Sequence, residues 1–314
     1  MKEYLYNGEI QKASRSFPFA LRTPESILNS LNDANGSISI IELFLGHKSE
    51  DSVFSADMLA PIGGKMLPGE SVLQTSYRRI RWETALACSP IVENDESKMV
   101  IKDSFQFAID RSKDPHREVY FSLVPVISPH IVTGIFPIQE DSKVDRLIGM
   151  TINEFKNAID LGYYEGQHGK FYLQGHITKL DNLKDIAIDG KNIDKRNVML
   201  DMLLSRLENQ EIKAKAKLYR QLKYFAINTG KVDNIFPDFS TLRGDELMVA
   251  EAVNLKNVML QLREKLGMIF NPIFKEAYST VVGEFYMDYF RTKEKPNEYI
   301  NGKHTSELER LKEQ

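Results

Sequence analysis

Apolar residues follow two different rhythms along this chain, and the change falls near residue 180. Upstream, short runs rich in β-branched and aromatic residues alternate with Gly, Pro and Asn. SISIIELFLG (37–46) and REVYFSLVPVI (117–127) are examples, and both predict strands. Downstream, apolar residues recur at helical spacing. Met199, Met202, Leu203 and Leu207 form one stripe, Leu218, Leu222 and Phe225 a second, and Leu255, Val258, Met259, Leu262, Leu266 and Ile269 a third. A fourth helix is expected after Pro272, a residue that suits a first helical turn, with Phe274, Tyr278, Val281, Val282, Phe285 and Tyr289 on one face. This division predicts a first domain over 1–178, a helical domain over 179–292 and a charged tail over 293–314.

One stretch of the first region breaks the alternation: GGKMLPGESVLQTSYRRIRWETAL, residues 63–86. Gly63, Gly64, Pro68 and Gly69 favour turns that bring backbone close to a ligand. From Glu70 or Ser71 onward the sequence contains no helix breaker. On that helix Leu73, Tyr77, Ile80 and Thr84 share a side suited to a sheet, while Arg79, Trp82 and Glu83 share another. Arg78, Arg79 and Arg81 give a concentrated positive charge suited to phosphate oxygens, and Trp82 offers a face for stacking a base or sugar.

The stretch resembles the Nudix box, a pattern of Gly, five residues, Glu, seven residues and then Arg-Glu-U-x-Glu-Glu-x-Gly-U, where U is bulky and aliphatic. Gly64, Glu70, Arg78, Ile80, Glu83 and Leu86 agree with it, whereas Arg79, Trp82 and Ala85 stand where the pattern has Glu, Glu and Gly. The strand-to-helix run VDRLIGMTINEFKNAI (144–159) is similar to the family's closing elements. The resemblance implies an α+β fold, a Nudix-like α/β/α sandwich with a mixed sheet, here followed by an α-helical domain. It further implies Mg²⁺ or Mn²⁺ as cofactor if the box is active, with Glu83 and Glu70 catalytic. Glu83, Glu70, Gly64 and a loop acid, Glu140, would then hold the metal. Arg78, Arg79, Trp82, Gly63, Gly64 and Lys65 are the expected ligand-binding residues.

The departures change the charge of the box. A carboxylate replaced by Arg79 shifts the local charge by two units, and a second replaced by Trp82 removes another negative charge. A hard dication wants oxygen ligands, so the altered face favours an anion instead. Two functions follow. In one, the chain binds a nucleotide, a nucleoside diphosphate derivative or an RNA end without efficient hydrolysis, and the helical region serves as an output or assembly element, with a homodimer or a protein partner as its counterpart. In the other, it remains a Mg²⁺-dependent pyrophosphohydrolase acting on a nucleoside diphosphate linked to a further group.

Composition narrows the remaining choices. Hydrophobic residues make up 42% and charged residues 27%, the balance of a globular chain, and a net charge of −3 argues against a chain-wide nucleic-acid or membrane footprint. A single cysteine, Cys88, and the absence of a membrane-length apolar run fit a cytoplasmic protein. Weaker chemical signals are Asp141 and Asp145 beside Glu140, the acids of ENDES (93–97), and the cluster Gly166, His168, Gly175 and His176. KAKAKLYRQLK (213–223) reads as a solvated basic face or a nucleic-acid contact.

Overall fold

The computed structural model describes residues 11–33, 38–50, 56–84, 106–110, 117–126, 144–166, 169–173, 186–188, 191–193, 198–232 and 234–289. Its elements in chain order are β1 (Gln11–Leu21), α1 (Pro24–Ser30), β2 (Ile41–Lys48), β3 (Met58–Ala60), β4 (Ile62–Lys65), α2 (Val72–Thr84), β5 (Gln106–Asp110) and β6 (Arg117–Pro125). They continue with β7 (Val144–Met150), α3 (Ile152–Leu161), β8 (Tyr163–Gly166), β9 (Gly169–Leu173), β10 (Ile186–Ile188) and β11 (Lys191–Ile193). Three long helices follow: α4 (Val198–Ile227), α5 (Gly244–Leu266) and α6 (Phe270–Tyr289).

The strands form one mixed sheet, ordered β11-β10-β5-β6-β1-β2-β3-β9-β8, with β4 also paired to β1 and β7 to β2. β1 is its axis. It runs parallel to β6 along its length, while its other edge pairs with β4 over Ala13–Ser16 and then with β2 over Phe19–Leu21. The sequence pattern does not mark β1, because its first half is polar and Pro18 interrupts the second. Pro18 is tolerated because it falls in the two-residue gap between β4 and β2, where no ladder asks it for an N–H.

Side-chain alternation gives the sheet two apolar faces. Phe17, Phe19, Leu21, Leu43, Leu45 and Leu123 enter a large core that also contains Phe155 of α3 and the apolar stripes of α4, α5 and α6. Ala20, Phe44, Val124 and Val144 face the other way and form a smaller core with Ile62 and Ile80, under α2. The expected α/β/α layering is therefore present, with α2 the one helix on its face among the described residues. α3 carries a reciprocal cap: Thr151 Oγ accepts the Glu154 N–H at 3.2 Å, and Glu154 Oε2 accepts the Thr151 N–H at 2.7 Å.

The downstream region departs from the expectation in two ways. Strands β10 and β11 lie beyond residue 178 and join the sheet through β5. The stripes over 199–207 and 218–225 belong to one helix, α4, of 30 residues. The polar interval LENQE does not break it, because Glu211 points inward. Its two carboxylate oxygens accept the N–H groups of Ile40 and Ile41, both at 2.8 Å, and Lys215 balances its charge at 3.0 Å. These contacts satisfy backbone donors at the start of β2 and tie α4 to the sheet. Phe19 packs edge-on against Phe285 with centroids 6.1 Å apart, and the Tyr278 hydroxyl donates to the Arg22 carbonyl. The basic face of α4 is largely paired: Lys217 with Glu284 at 3.8 Å, and Arg220 with Glu251 at 2.6 Å.

A second acid, Glu42 of β2, is less well satisfied. Glu42 Oε1 is buried with no hydrogen-bond partner among the described residues. Burial pushes its carboxyl up to about 7, while nearby Arg22 pulls it down and Glu154 pushes it further up. The folded state thus holds this proton more tightly than the unfolded state. Its contribution to stability is complete below about 4.5 and declines as pH rises to about 7. Glu42→Gln is expected to stabilise the protein at pH 8 by about 1–2 kcal/mol and to have little effect at pH 5. Thermal or urea unfolding at the two pH values measures the difference.

Candidate functional site

The box is built as a strand, a turn and a capped helix. Gly63 and Gly64 lie in β4, not in the turn, and each is required for close approach. A Cβ on Gly63 would stand 2.0 Å from the Ser14 carbonyl oxygen of β1. This glycine therefore serves the pairing of β4 with β1. A Cβ on Gly64 would stand 2.5 Å from Arg79 Nε, so the arginine's guanidinium lies directly over this glycine. Within the turn, Gly69 has φ +83°, which suits a residue without Cβ.

Ser71 starts α2 with a reciprocal cap: the Gln74 N–H donates to Ser71 Oγ at 3.2 Å, and the Ser71 N–H donates to Gln74 Oε1 at 2.8 Å. The helix then buries Thr75, Ser76, Ile80, Glu83 and Thr84. Small residues let it settle close to β1, where Ser76 Oγ donates to Ser14 Oγ at 3.4 Å. Leu73 and Tyr77 flank this side as expected, and Trp82 and Arg81 face solvent. Glu83 thus parts company with Trp82: the acid turns inward and the indole remains 38% exposed.

Arg78 and Glu70 form a clamp across the turn. Arg78 Nε donates to Glu70 Oε1 at 2.5 Å, and a second guanidinium nitrogen donates to Glu70 Oε2 at 2.8 Å. The same carboxylate accepts the Leu67 N–H at 2.8 Å and the Thr75 hydroxyl at 2.7 Å, while Arg78 also reaches the Lys65 carbonyl at 3.1 Å. The Arg78 hydrogen bonds hold the Glu70 carboxyl down at about 2, against a burial that raises it, with Leu67 and Thr75 helping. Lys65 itself is exposed at the end of β4.

Glu83 is the acid that remains on the inner face of the box. Lys48, the last residue of β2, places Nζ 3.1 Å from Glu83 Oε2, and an Arg79 guanidinium nitrogen stands 3.9 Å from Oε1. Sequence reasoning missed Lys48, since a lysine at the end of a strand carries no signal of its own. It also missed His47, whose ring nitrogens lie 2.7 Å from Asp145 Oδ1 and 3.1 Å from Asp57 Oδ1, on the core side of β2. Asp145, expected as a loop acid, is thereby paired. Glu140, Asp141, Cys88, the acids of ENDES, His168, Gly175 and His176 lie outside the described residues.

A divalent metal does not fit the groups that are described. Glu70 is occupied by its clamp, and both oxygens of Glu83 face cations. The Gly64 backbone lies under a guanidinium. Each like unit charge 4 Å away costs about 4 kcal/mol at an effective dielectric of 20, and a dication doubles that. Among the described residues, no group of three or more His, Cys, Asp or Glu side chains is arranged to hold a metal. An anion fits better: Lys48, Arg79 and Glu83 together sum to one positive charge (+2 − 1), and Arg79 Nε is buried with no acceptor among the described residues.

The clamp and the glycines make separable predictions. In Arg78→Ala, the Glu70 carboxyl should titrate near its ordinary value of about 4.3, not about 2, by carboxyl-detected NMR. Because the native carboxyl is depressed, its stabilisation is present above about 4.5 and lost as pH falls toward about 2. The variant should lack that part of the acid dependence. Gly63→Ala should lower stability by about 3 kcal/mol or more, since the obstacle is backbone, whereas Gly64→Ala should displace Arg79 and change stability by about 1 kcal/mol. Chemical denaturation separates the two.

No family model matches the chain, and no curated protein matches it either. Solved structures do resemble it. A MutT/nudix family protein from Listeria innocua is 12% identical, with 65% of this chain and 98% of that one covered at a TM-score of 0.36. A MutT/nudix family protein from Enterococcus faecalis is 11% identical, with 89% and 84% covered at 0.33. A MutT protein from Methanosarcina mazei is 13% identical, with 49% and 85% covered at 0.29. These are likenesses of fold at low scores. Among the described residues no helix is long and apolar enough to cross a membrane. With a mixed sheet between helical layers, a glycine strand leading into a capped helix and three long helices after the sheet, the chain has an α+β fold.

Proposed function

We propose that this protein is a Nudix-fold binding module for a phosphate-bearing ligand, a nucleoside diphosphate derivative or an RNA end, whose box no longer hydrolyses efficiently. The observation that carries the reading is the position of Arg79: its guanidinium lies over Gly64 and beside Glu83, and its Nε has no acceptor among the described residues. A buried donor without a partner is costly, and a phosphate oxygen would satisfy it while meeting a positive charge. The exposed face of Trp82, three positions along α2, supplies a surface on which the rest of a nucleotide can stack. The helical region, which shares its core with the sheet, serves as the output or assembly element.

The test is a paired measurement on a panel of nucleoside diphosphate derivatives and 5′-phosphorylated RNA ends, with Mg²⁺ or Mn²⁺ present. Binding without turnover is expected. Arg79→Ala should weaken it by about tenfold to a hundredfold, the worth of about 1.4–2.8 kcal/mol. Metal-dependent turnover in the natural protein, abolished by Glu83→Gln, would establish a pyrophosphohydrolase and overturn the proposal.

A further inference from the structure

We infer that Lys48 is a built-in counter-cation for Glu83, standing in for a divalent metal, so that the box takes its diphosphate as the bare anion and not as a magnesium complex. For the identity of the ligand this rests on the function proposed above; the role of Lys48 stands on the geometry of this chain alone.

β2 places the lysine. Phe44 lies in the small core under α2, and a Cβ on Gly46 would meet Ile62 and Val144 of that same core. By strand alternation Lys48 follows on this face, at the end where the last turn of α2 arrives. The β2–β7 ladder skips a residue between the pairs His47–Arg146 and Lys48–Val144, a local irregularity of the kind that re-aims a side chain. Lys48 Nζ reaches Glu83 Oε2 at 3.1 Å, and the two side chains are 14% and 9% exposed. Burial makes this pair durable, because either charge left alone there would be strongly disfavoured. The other oxygen of Glu83 is turned to Arg79 at 3.9 Å. A metal would have to displace one cation and sit against the other, whereas a metal-free diphosphate meets both as partners. Lys48 thus neutralises the acid that would otherwise repel the ligand.

Two measurements test this. In the unaltered protein, calorimetry with inorganic pyrophosphate should show binding in EDTA that weakens severalfold in excess Mg²⁺; tighter binding in Mg²⁺ would overturn the inference. Mn²⁺ binding, followed by electron paramagnetic resonance, should be undetectable at millimolar metal in the natural protein and in Arg79→Glu. It should appear at least about tenfold tighter in Lys48→Met/Arg79→Glu, the effect of a charge worth at least 1.4 kcal/mol, and vanish again when Glu83→Gln is added. Equal Mn²⁺ affinity in Arg79→Glu with and without Lys48 would refute the role of the lysine. Pyrophosphate binding to none of these proteins would instead remove the ligand proposed for the box, while the Mn²⁺ series still decides the part played by Lys48.

Discussion

The approach of β4 to β1 at Gly63 fixes the geometry of everything in the box. Because the Ser14 carbonyl lies where any Cβ on residue 63 would have to be, the two strands meet with no side chain between them. Gly64 then stands over the sheet face that α2 covers, and the Ser14 and Ser76 hydroxyls let the helix lie close to β1. That closeness brings the end of α2 over the end of β2, so that residues 35 positions apart, Lys48 and Glu83, form an ion pair. The charge arrangement is thus a consequence of backbone packing, with the turn and its Glu70–Arg78 clamp closing the path between strand and helix.

This dependence ties the cations around Glu83 to the packing of the backbone. Arg79 finds room only because residue 64 is a glycine, and it faces Glu83 only because the two are one helical turn apart. Lys48 occupies the opposite oxygen of the same carboxylate. With Arg79 at one oxygen and Lys48 at the other, the carboxylate is held between two cations. Arg78 takes no part, since its guanidinium is committed to Glu70, and Arg81 faces solvent. Three arginines within four residues therefore have three different employments.

The sequence made much of this legible, and the omissions have physical causes. Strand and helix periodicity located β2, β6, α5 and α6, the resemblance of residues 144–159 to the family's closing elements located β7 and α3, and the box spacing located α2. β1 stayed hidden because a proline and a polar half mask a strand whose polar residues, Ser14 and Ser16, are fully buried against neighbours that sequence cannot display. α4 looked like two helices because Glu211 and Lys215 read as solvated charges, although they face the start of β2. Lys48 and His47 were invisible for a similar reason: their meaning lies in partners supplied by other elements. Local pattern reports periodicity well, but a charged side chain reveals its role only when its partner is known.

The Glu211 contact bears on how the two halves of the chain communicate. Its carboxylate accepts the N–H groups of Ile40 and Ile41, immediately before and within the start of β2, and Lys48 closes the same strand seven residues after Ile41. A strand rises about 3.3 Å per residue, so the two contacts lie about 23 Å apart along β2. β2 is paired to β1 and β3 on one edge and to β7 on the other. The contact that ties α4 to the sheet and the cation that pairs with Glu83 thus stand at opposite ends of one strand, with no loop between them.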